Sequence, residues 1–585
     1  MLHKYHEKYI IAQFAIAQHN RTDVWKLREL LNKLKETTKS LRFPTVKYAF
    51  LILIVIVAAV LLVSEASTVS QSASPQPVIY STPDPSDSPV DPDFPADSVS
   101  PIPDSEVPPD SDNSLQPGAS EPAADSEPPA DNTPPADNES PDATTPPADD
   151  EPPIPDWLGK TNGFDIDFDL LIERDKGNGN LIKLHEYFAS LEPSGQNEKT
   201  GIYKGYNLIT VSAEAFTHYI IDPELTPTLY MMQQEGIWFD NFYGMYGGGT
   251  IGGELSLITG LSPGGGHGWC NNAAKKSLPF SFASQFNNLG IQPYAYHNGT
   301  YTYYDRNIMH PNLGYIFRTR KHGLDFQGPG WHMPDKMMVE LSFDQYIDDD
   351  RFYVHYMTVS GHSPYSFNES GIARRNREAV EHLQYSSRVK AYIATQLELE
   401  YMMQYLLERL EEKGIAERTL IALTTDHYPY GLTSREIAEL AGQPFGSAFG
   451  MHRNGCIIYV KGMEPEIVET PAFVPDIVPT VSNLLGLRFD SRFLSGRDVF
   501  SDAMPLVFLG CGFMTDAGYY EKGRGRFTPF EGVEIPEGYV SEILDIVKMR
   551  MFAVDQIVKL DYFAKIAEQL EAPAVAPGRR LFMLE

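Results

Sequence analysis

Polar side chains suited to metal or phosphate chemistry follow four short apolar runs of this chain. These side chains, each with its preceding run, are Glu214 after Tyr206–Ser212, His297 after Gln292–Tyr296, His362 after Phe352–Ser360, and Asp426 and His427 after Thr419–Thr425. Apolar runs rich in β-branched residues predict buried parallel strands. Ligands of open α/β sheets bind beyond the carboxyl ends of such strands. We therefore expect these five candidate ligands to meet at one edge of a single sheet.

A glycine-rich segment supplies a candidate nucleophile. Gly247–Gly249 precede Thr250, and Leu255–Gly260 is typical of the beginning of a helix. The free N–H groups and the dipole of a helix N-terminus favour an alkoxide or a phosphate, and glycines let the backbone approach a ligand closely. The alternative is a glycine-rich turn in which Thr250 is an ordinary N-cap.

Glu214, Asp426 and His427, together with the Thr250 oxygen, offer four hard or borderline donors for one divalent cation. A cation there would lower the pKa of the threonine hydroxyl and neutralise charge on a transferring phosphoryl group. The mostly oxygen donor set favours manganese or magnesium over zinc. The Asp–His pair can equally be a polar turn at a strand end. Lone histidines such as the remaining two are more often structural than functional.

The elements that would position these residues alternate between strand and helix over Trp157–Glu585. Glu398–Lys413 has helical spacing, and Gly414 follows as a C-terminal stop before the next strand. This order predicts an α/β fold with a doubly wound, mainly parallel sheet flanked by helices. Val499–Tyr520 predicts a small C-terminal sheet, and Glu537–Leu570 predicts one or two helices.

The charge of this 585-residue chain, a net −31, is unevenly distributed. Residues 1–47 carry ten Lys/Arg and four Asp/Glu, whereas residues 64–156 carry twenty-one Asp/Glu and no Lys or Arg. Between them, Tyr48–Val63 is free of charge and proline, which predicts a transmembrane anchor with the N-terminus in the cytoplasm. The alternative is a signal-peptide core, although the preceding basic segment is unusually long for one. Nothing resembles a basic nucleic-acid footprint.

The composition predicts four regions. They are a cytoplasmic basic segment at 1–47, a transmembrane anchor at 48–66, a disordered acidic proline-rich linker at 67–156, and an extracellular folded domain at 157–585. The linker has almost no large apolar residues to offset its ordering entropy. Fully extended at about 3.1 Å per residue, it would reach on the order of 280 Å. The three cysteines, Cys270, Cys456 and Cys511, are expected to be small buried residues. One incidental disulfide between two of them is the alternative.

A series of motifs occurs in a fixed order along the folded region. They are SAEAF (Ser212–Phe216), GGGT…E (Gly247–Glu254), H…Y-x-R (His297–Arg306), SGHSPY (Ser360–Tyr365), TDHYPYG (Thr425–Gly431), PAFVPDIVPTVSNLLGL (Pro471–Leu487) and SGRDVFS (Ser495–Ser501). This set resembles the lipoteichoic acid synthase family of the alkaline phosphatase/sulfatase superfamily over roughly Tyr206–Tyr520. No cysteine lies in a C-x-P-x-R context, so the formylglycine nucleophile of true sulfatases is absent.

In that family a threonine takes glycerol phosphate from phosphatidylglycerol and passes it to a growing polymer, typically with one manganese ion. The resemblance therefore implies a membrane-anchored, extracellular phosphoglycerol transferase. Its donor would be phosphatidylglycerol or a similar phospholipid, its acceptor a glycolipid or polymer, and its metal manganese, with magnesium as the alternative. The implied roles are a nucleophile, Thr250; metal ligands, Glu214, Asp426 and His427 with Thr250; and substrate-site residues, His297, Tyr304, Arg306 and His362, the last also catalytic.

The chain departs from the family pattern in three ways. It shows one predicted membrane span instead of five, Gly299 replaces an acid of the headgroup pocket, and Tyr304 replaces a tryptophan. We therefore expect phosphate recognition to be kept and headgroup selectivity to be weaker. Other hypotheses are a phosphoethanolamine transferase or phosphodiesterase on the same scaffold, and an inactive surface-binding module. Arg306 can alternatively be a surface charge.

Overall fold

The structure is a computed structural model that describes residue 155 and residues 157–245, 247–264, 266–326 and 333–570. The described residues all fall in one compact unit. The predicted cytoplasmic segment, the anchor at 48–66 and nearly all of the linker at 67–156 lie outside them, so these assignments stay predictions. Within the described ranges, no helix is both long enough and apolar enough to cross a bilayer.

Strands and helices alternate through the described ranges. The strands are β1 (Asn207–Ala213), β2 (Ile237–Phe239), β3 (Phe242–Tyr243), β4 (Pro293–His297), β5 (Ile316–Arg320), β6 (Gly323–Leu324), β7 (Tyr353–Met357), β8 (Thr419–Thr425), β9 (Arg453–Asn454), β10 (Cys456–Tyr459), β11 (Glu466–Val468), β12 (Ala472–Phe473), β13 (Val507–Leu509), β14 (Gly512–Thr515), β15 (Gly518–Glu521) and β16 (Arg526–Pro529). The α-helices are α1 (Phe168–Arg174), α2 (Gly179–Ala189), α3 (Pro227–Glu235), α4 (Gly249–Thr259), α5 (Gly266–Ala273), α6 (Phe282–Asn288), α7 (Arg306–Leu313), α8 (Asp335–Ser342), α9 (Gly371–Arg375), α10 (Arg377–Val380), α11 (Ser387–Glu412), α12 (Ser434–Ala441), α13 (Ile477–Leu484), α14 (Tyr539–Leu560) and α15 (Tyr562–Lys565).

A nine-stranded sheet lies at the centre, in the order β11-β2-β10-β8-β1-β7-β4-β5-β6. The neighbours β8, β1, β7 and β4 run parallel, and they are the four apolar runs from which the sheet was predicted. Only β10, among the described strands of this sheet, runs antiparallel to its neighbours. The prediction of a mainly parallel α/β sheet with flanking helices is confirmed. A separate antiparallel sheet, β13–β16, confirms the predicted small C-terminal sheet, which extends to Pro529.

Two apolar cores cover the two faces of the central sheet. In β8, Leu420 and Ala422 join one core with α4, α13 and α14, whereas Ile421 and Leu423 join the other with α8 and α11. Alternate residues of a strand point to opposite faces, so this division follows from the pleat. Full burial of a leucine side chain contributes about 1.5–3 kcal/mol to the free energy of folding. Every residue of β8 is buried, which explains why its sequence is a continuous apolar run rather than an alternating one.

Two helix boundaries differ from those predicted. The helix expected at Glu398–Lys413 begins at Ser387, because residues upstream of the predicted start also bury side chains against the neighbouring helices. Its end is as predicted, with Gly414 in the left-handed region at φ +68°. The helix expected to begin near Leu255 begins at Gly249, because packing at the site overrides the low helix propensity of its glycines.

The three cysteines are free thiols. Burial raises the pKa of Cys270 to about 12 and that of Cys511 to about 11, and it also raises the pKa of Cys456. A thiol that stays protonated at neutral pH is a poor nucleophile and a poor metal ligand. The cysteines therefore act as small packing residues, as expected from the sequence, and no disulfide links them.

Candidate active site

The carboxyl ends of β1 and β8 place Glu214 and Asp426 side by side. The last residues of the two strands, Ala213 and Thr425, are paired, so both strands end at the same level of the sheet. Asp426 Oδ1 accepts hydrogen bonds from the backbone N–H groups of Ala215 at 2.8 Å and of His427 at 2.7 Å. Glu214 is 3% exposed and Asp426 is fully buried. Two carboxylates held this close in the interior need a cation or a proton between them.

The turn that presents Glu214 is strained and firmly held. Ala215 adopts the left-handed conformation at φ +52°, which costs a β-carbon-bearing residue about 1–3 kcal/mol and is typical of functional sites. Helix α11 stabilises this turn, since Tyr392 donates to the Ala215 carbonyl at 2.8 Å and Gln396 donates to the Glu214 carbonyl at 3.1 Å. The surrounding structure therefore fixes the direction of the Glu214 side chain.

His427 completes a group of ligand atoms. Its Nδ1 lies 2.9 Å from the carbonyl oxygen of Tyr428, which can only accept, so Nδ1 carries a proton and the lone pair of the uncharged form of the ring is on Nε2. Nε2 lies 3.5 Å from Glu214 Oε1 and 3.3 Å from Asp426 Oδ2. Asp426 Oδ2 is buried without a hydrogen-bond partner among the described residues.

One ligand atom from each of these three residues lies within 4.8 Å of the other two. Two carboxylate oxygens and an imidazole nitrogen thus converge. One of these oxygens, Asp426 Oδ2, is buried without a hydrogen-bond partner among the described residues. Buried polar atoms are normally satisfied, so an orphaned one at such a convergence indicates a missing partner. The donor set fits a divalent cation, and the hydrogen bond at Nδ1 is the kind of outer contact that orients a histidine ligand.

Helix α4 brings Thr250 to this group. Its N-cap, Gly248, is left-handed at φ +85°, and Thr250 lies in the first turn, 6% exposed. Thr250 Oγ1 is 3.1 Å from His427 Nε2. One turn further, Gly253 packs its backbone on Asp426, where a β-carbon would lie 1.9 Å from the carbonyl oxygen. The structure therefore brings together all four residues predicted as nucleophile and metal ligands.

Gly253→Ala is expected to lower kcat/KM about 100-fold or more, because displacing a reacting group by about 1 Å has effects of this size. The new β-carbon would push α4 away from Asp426 and move the Thr250 hydroxyl from the ligand group. Turnover and metal content of the purified variant test this. Gly179→Ala is the matched control, since that glycine also lies in a helix and its added β-carbon would meet no heavy atom of the described residues within 4 Å. Wild-type turnover in Gly253→Ala would contradict the role given to this contact.

Arg306, the first residue of α7, belongs to a second polar group, which it forms with Glu254 of α4. It is 1% exposed, so it is not a surface charge, and its Nε donates to Glu254 Oε2 at 2.8 Å. Glu254 follows Thr250 by four residues in α4, and His310 Nε2 lies 2.9 Å from its other oxygen. Burial raises the pKa of Glu254, but the charge of Arg306 and the hydrogen bond from His310 outweigh it and hold that pKa well below its usual range.

His297 is a neutral, buried residue at the end of β4. Its Nδ1 donates to the carbonyl oxygen of Met357 at 3.0 Å, which ties β4 to β7. Burial, together with the nearby charge of Arg306, lowers the pKa of His297 to about 3. The ring therefore carries no charge at neutral pH and is not an acid catalyst. Gly299 lies against it, since a β-carbon there would be 2.4 Å from His297 Nε2, so no acidic side chain fits at this position without moving the ring.

Tyr304 connects Arg306 to the nucleophile end of α4. Its ring stacks on His267 with centroids 5.3 Å apart, and the Arg306 guanidinium carbon lies 5.3 Å from its centroid. The His267 ring is 3.8 Å from where a β-carbon of Gly249 would stand. Tyr304 also has a left-handed backbone at φ +59°, another local strain. His267 was not predicted, because no strand-like run precedes it in the sequence.

His362 lies in the loop after β7, partly buried, with Nδ1 donating to the carbonyl oxygen of Ser363 at 2.6 Å. The preceding residue, Gly361, packs on the turn that carries Glu214, since a β-carbon there would be 2.1 Å from the Glu214 carbonyl oxygen. The loop of His362 therefore lies directly against a candidate metal ligand, at the sheet edge where it was predicted.

Asp335 is a further residue near the site, and its sequence context did not indicate it. Its Oδ1 accepts from Asn298 Nδ2 at 2.7 Å and from the Ser360 backbone at 3.1 Å. It thus ties the loop after His297 to the loop that carries His362. Burial raises the pKa of the Asp335 carboxyl group. Nothing in the local sequence indicates this role, which depends on two loops distant along the chain.

Residues 208–487 match the model of the family described as Sulfatase. This segment runs from β1 through α13 and includes every residue predicted for the site. The match supports the resemblance to this superfamily that the motifs predicted.

The relatives that this chain matches include lipoteichoic acid synthases. That of Staphylococcus saprophyticus is 24% identical over 373 residues, which cover 59% of this chain and 55% of that protein. Lipoteichoic acid synthase 2 of Bacillus subtilis is 23% identical over 404 residues, covering 66% of this chain and 61% of that protein. The predicted resemblance is confirmed, although the chain spans only about 55–61% of the length of these relatives.

A solved structure shares the fold. The crystal structure of the lipoteichoic acid synthase LtaP from Listeria monocytogenes has a TM-score of 0.51 and 19% sequence identity to this chain. The match covers 66% of this chain and 97% of that one. At this identity the similarity establishes the fold, and the chemistry has to be argued from the site.

Proposed function

We propose that this chain is a metal-dependent phosphoglycerol transferase. It moves glycerol phosphate from phosphatidylglycerol, or a similar phospholipid, to a glycolipid or polymer acceptor outside the cell. The observation that carries the proposal is the Thr250 hydroxyl in the first turn of α4, 3.1 Å from His427 Nε2 and beside two buried carboxylates. The similarity to lipoteichoic acid synthases supports glycerol phosphate as the transferred group.

Glu214, Asp426, His427 and the Thr250 oxygen would hold one divalent cation, manganese or magnesium. When bound, the cation supplies Lewis-acid stabilisation of the phosphoryl charge and lowers the pKa of the threonine hydroxyl. The unsatisfied oxygen of Asp426 and the lone pair of His427 support this assignment. Glu214 and Asp426 also balance the positive charge that the site would otherwise bury.

The residues of this chain then have separate tasks in two steps. In the first, the Thr250 oxygen forms a bond to phosphorus and gives its proton to solvent, while the bond from phosphorus to the diacylglycerol oxygen breaks. His362 is the candidate acid that protonates this leaving oxygen. In the second, the oxygen of an acceptor hydroxyl bonds to phosphorus and gives its proton to solvent, while the bond from phosphorus to the Thr250 oxygen breaks and Thr250 regains a proton. The N–H groups at the start of α4 favour phosphate throughout.

The proposal is tested by incubating the purified chain with phosphatidylglycerol and manganese and measuring release of diacylglycerol. We expect release from phosphatidylglycerol to be faster than from phosphatidylethanolamine at equal lipid concentration. Faster release from phosphatidylethanolamine would favour the phosphoethanolamine transferase instead. Manganese binding without turnover of any phosphodiester would identify the chain as an inactive binding module.

Arg306→Lys is expected to lower kcat/KM for the phospholipid about tenfold or more, mainly through KM, because lysine cannot reproduce the planar fork of a guanidinium. Arginine contacts substrate in this account and not the cation, so metal content should not change. Kinetics and elemental analysis of the same preparation check both parts. Loss of metal in the variant, or unchanged kinetics, would show that Arg306 has another role.

The proposed location outside the cell predicts that protease added to intact cells releases a folded fragment beginning near Trp157. The acidic, proline-rich residues 67–156 have the composition of an unfolded linker and should be cleaved first. Immunoblotting of the supernatant, with a cytoplasmic protein as control, gives the result. Full protection in intact cells, together with cleavage after lysis, would place the domain inside.

A further inference from the structure

We propose that Glu254 is a positioning residue for phosphate recognition, holding Arg306 in one orientation so that its free nitrogen binds a phosphate oxygen of the substrate. The proposal deepens the proposed function and rests on it for the identity of the substrate. It assigns a role to a residue that contributes neither a metal ligand nor a reacting atom.

Glu254 lies on the same helix as the candidate nucleophile. Residues four apart lie one above the other on a helix face, so Glu254 is one turn from Thr250 along α4. Its Oε2 accepts from Arg306 Nε at 2.8 Å, and Arg306 is the first residue of α7. One carboxylate thus connects the element that carries the nucleophile with the element that carries the candidate phosphate ligand.

Neighbouring elements hold the Glu254 carboxylate itself in one orientation. His310, one turn along α7 from Arg306, places Nε2 2.9 Å from Oε1, and His355 of β7 places its Nε2 3.8 Å from the same oxygen. Glu254 and these two histidines are fully buried. Because both carboxylate oxygens are engaged from neighbouring elements, the orientation that Glu254 imposes on Arg306 is fixed before any substrate binds.

Arg306 retains a buried donor nitrogen for a substrate. Glu254 engages Nε, whereas Nη2 is buried without a hydrogen-bond partner among the described residues. A buried guanidinium is stable only when its donors find acceptors, and phosphate oxygens are among its preferred partners. The ring of Tyr304 lies 5.3 Å from the guanidinium carbon and further restricts its movement. Arg306 Nη2 is therefore held in one orientation, in which it can donate to a phosphate oxygen.

The experiment compares the wild-type chain with Glu254→Gln, which keeps the size of the side chain and an oxygen that can accept from Arg306 but removes the charge. Binding of sn-glycerol 3-phosphate is measured by calorimetry, and KM and kcat are measured with phosphatidylglycerol. We expect affinity for glycerol phosphate to fall about tenfold and KM to rise similarly, with metal content unchanged and kcat changed less. If Glu254→Gln does not fold, Glu254→Asp, which keeps the charge but shortens its reach, is measured in the same way.

Glu398→Gln is the matched control. Glu398 is another buried glutamate paired with an arginine, Arg375 at 3.4 Å, but it lies on α11, and its side chain accepts hydrogen bonds from Arg375 and Asn376, neither of which is predicted for the site. A general effect of removing a buried carboxylate would lower thermal stability in both variants and leave both KM values unchanged. A rise in KM and loss of glycerol phosphate affinity confined to Glu254→Gln would support positioning, and equal kinetic effects in the two variants would overturn it.

A double variant isolates the link to Arg306. If Glu254 acts through the arginine, Glu254→Gln should add little to the KM already raised by Arg306→Gln, because residues that act as a unit are non-additive. Full additivity of the two effects would overturn the proposal.

The outcome also separates this inference from the proposed function. If the wild-type chain binds glycerol phosphate but does not turn over phosphatidylglycerol, and Glu254→Gln loses that binding, the positioning role is retained and the transferase is rejected. If the wild-type chain is active and Glu254→Gln has wild-type kinetics, the transferase is retained and the positioning role is rejected.

Discussion

Thr250→Ala is expected to abolish phosphoglycerol transfer, lowering kcat/KM by more than about a thousandfold, because it removes the oxygen that forms the bond to phosphorus. The fold should remain. The side chain lies in the first turn of α4, its hydroxyl is 3.1 Å from His427 Nε2, and its β-carbon is retained in the variant. Diacylglycerol release and thermal unfolding of the same preparation measure the two expectations.

Thr250→Ser is the matched control, since it keeps the hydroxyl and loses only a methyl group. It should retain a measurable fraction of wild-type turnover. If Thr250→Ala kept substantial activity, or if the serine variant were as inactive as the alanine one, the attacking atom would have to be sought elsewhere in the site.

Asp426→Asn is expected to lose the metal and, with it, the activity. The substitution keeps Oδ1, so the hydrogen bonds from Ala215 and His427 can persist, but it replaces the unsatisfied Oδ2 with an N–H₂ group that cannot bind a cation. Changing an outer contact of a metal site costs about 10–100-fold in affinity, so loss of a ligand should cost more. Elemental analysis should find about one metal ion per wild-type chain and almost none in the variant.

Asp476→Asn serves as control for the loss of a buried carboxylate. Burial raises the pKa of Asp476 to about 6, and its hydrogen bonds come from Phe473 and Arg497, neither of which is predicted for the site. This variant should keep its metal. Equal metal content in wild type and Asp426→Asn would contradict the ligand assignment.

The positions of the candidate metal ligands Glu214 and Asp426 could be predicted from the sequence, because each follows a recognisable buried strand. A buried parallel strand is visible as an apolar run, and the residue after it must lie at the carboxyl edge of the sheet. Neighbouring β1 and β8 therefore place Glu214 and Asp426 together although they are 212 residues apart in the chain, as in the structure. The glycine-rich segment indicated Thr250 as the candidate nucleophile, and the family motifs added Tyr304 and the predicted roles of the substrate-site residues.

The parts that the sequence did not predict depend on contacts between distant segments. Helix propensity placed the start of α4 too late, since Gly252 and Gly253 disfavour a helix unless close packing, on Gly247 and on Asp426 respectively, requires them. Glu254 was visible only as part of a motif, because its partners His310 and His355 come from a helix and a strand far along the chain. Asp335 links two loops whose proximity exists only in the folded domain.

The central claim is that Thr250 carries the transferred group, and mass spectrometry of the protein tests it most directly. The purified chain is incubated with phosphatidylglycerol and manganese in the absence of an acceptor, digested, and compared with Thr250→Ala treated identically. We predict one glycerol phosphate group on the peptide that contains Thr250, absent from the variant and from a sample without metal. Turnover of the lipid with no modification of that peptide, or with modification at another residue, would contradict the account.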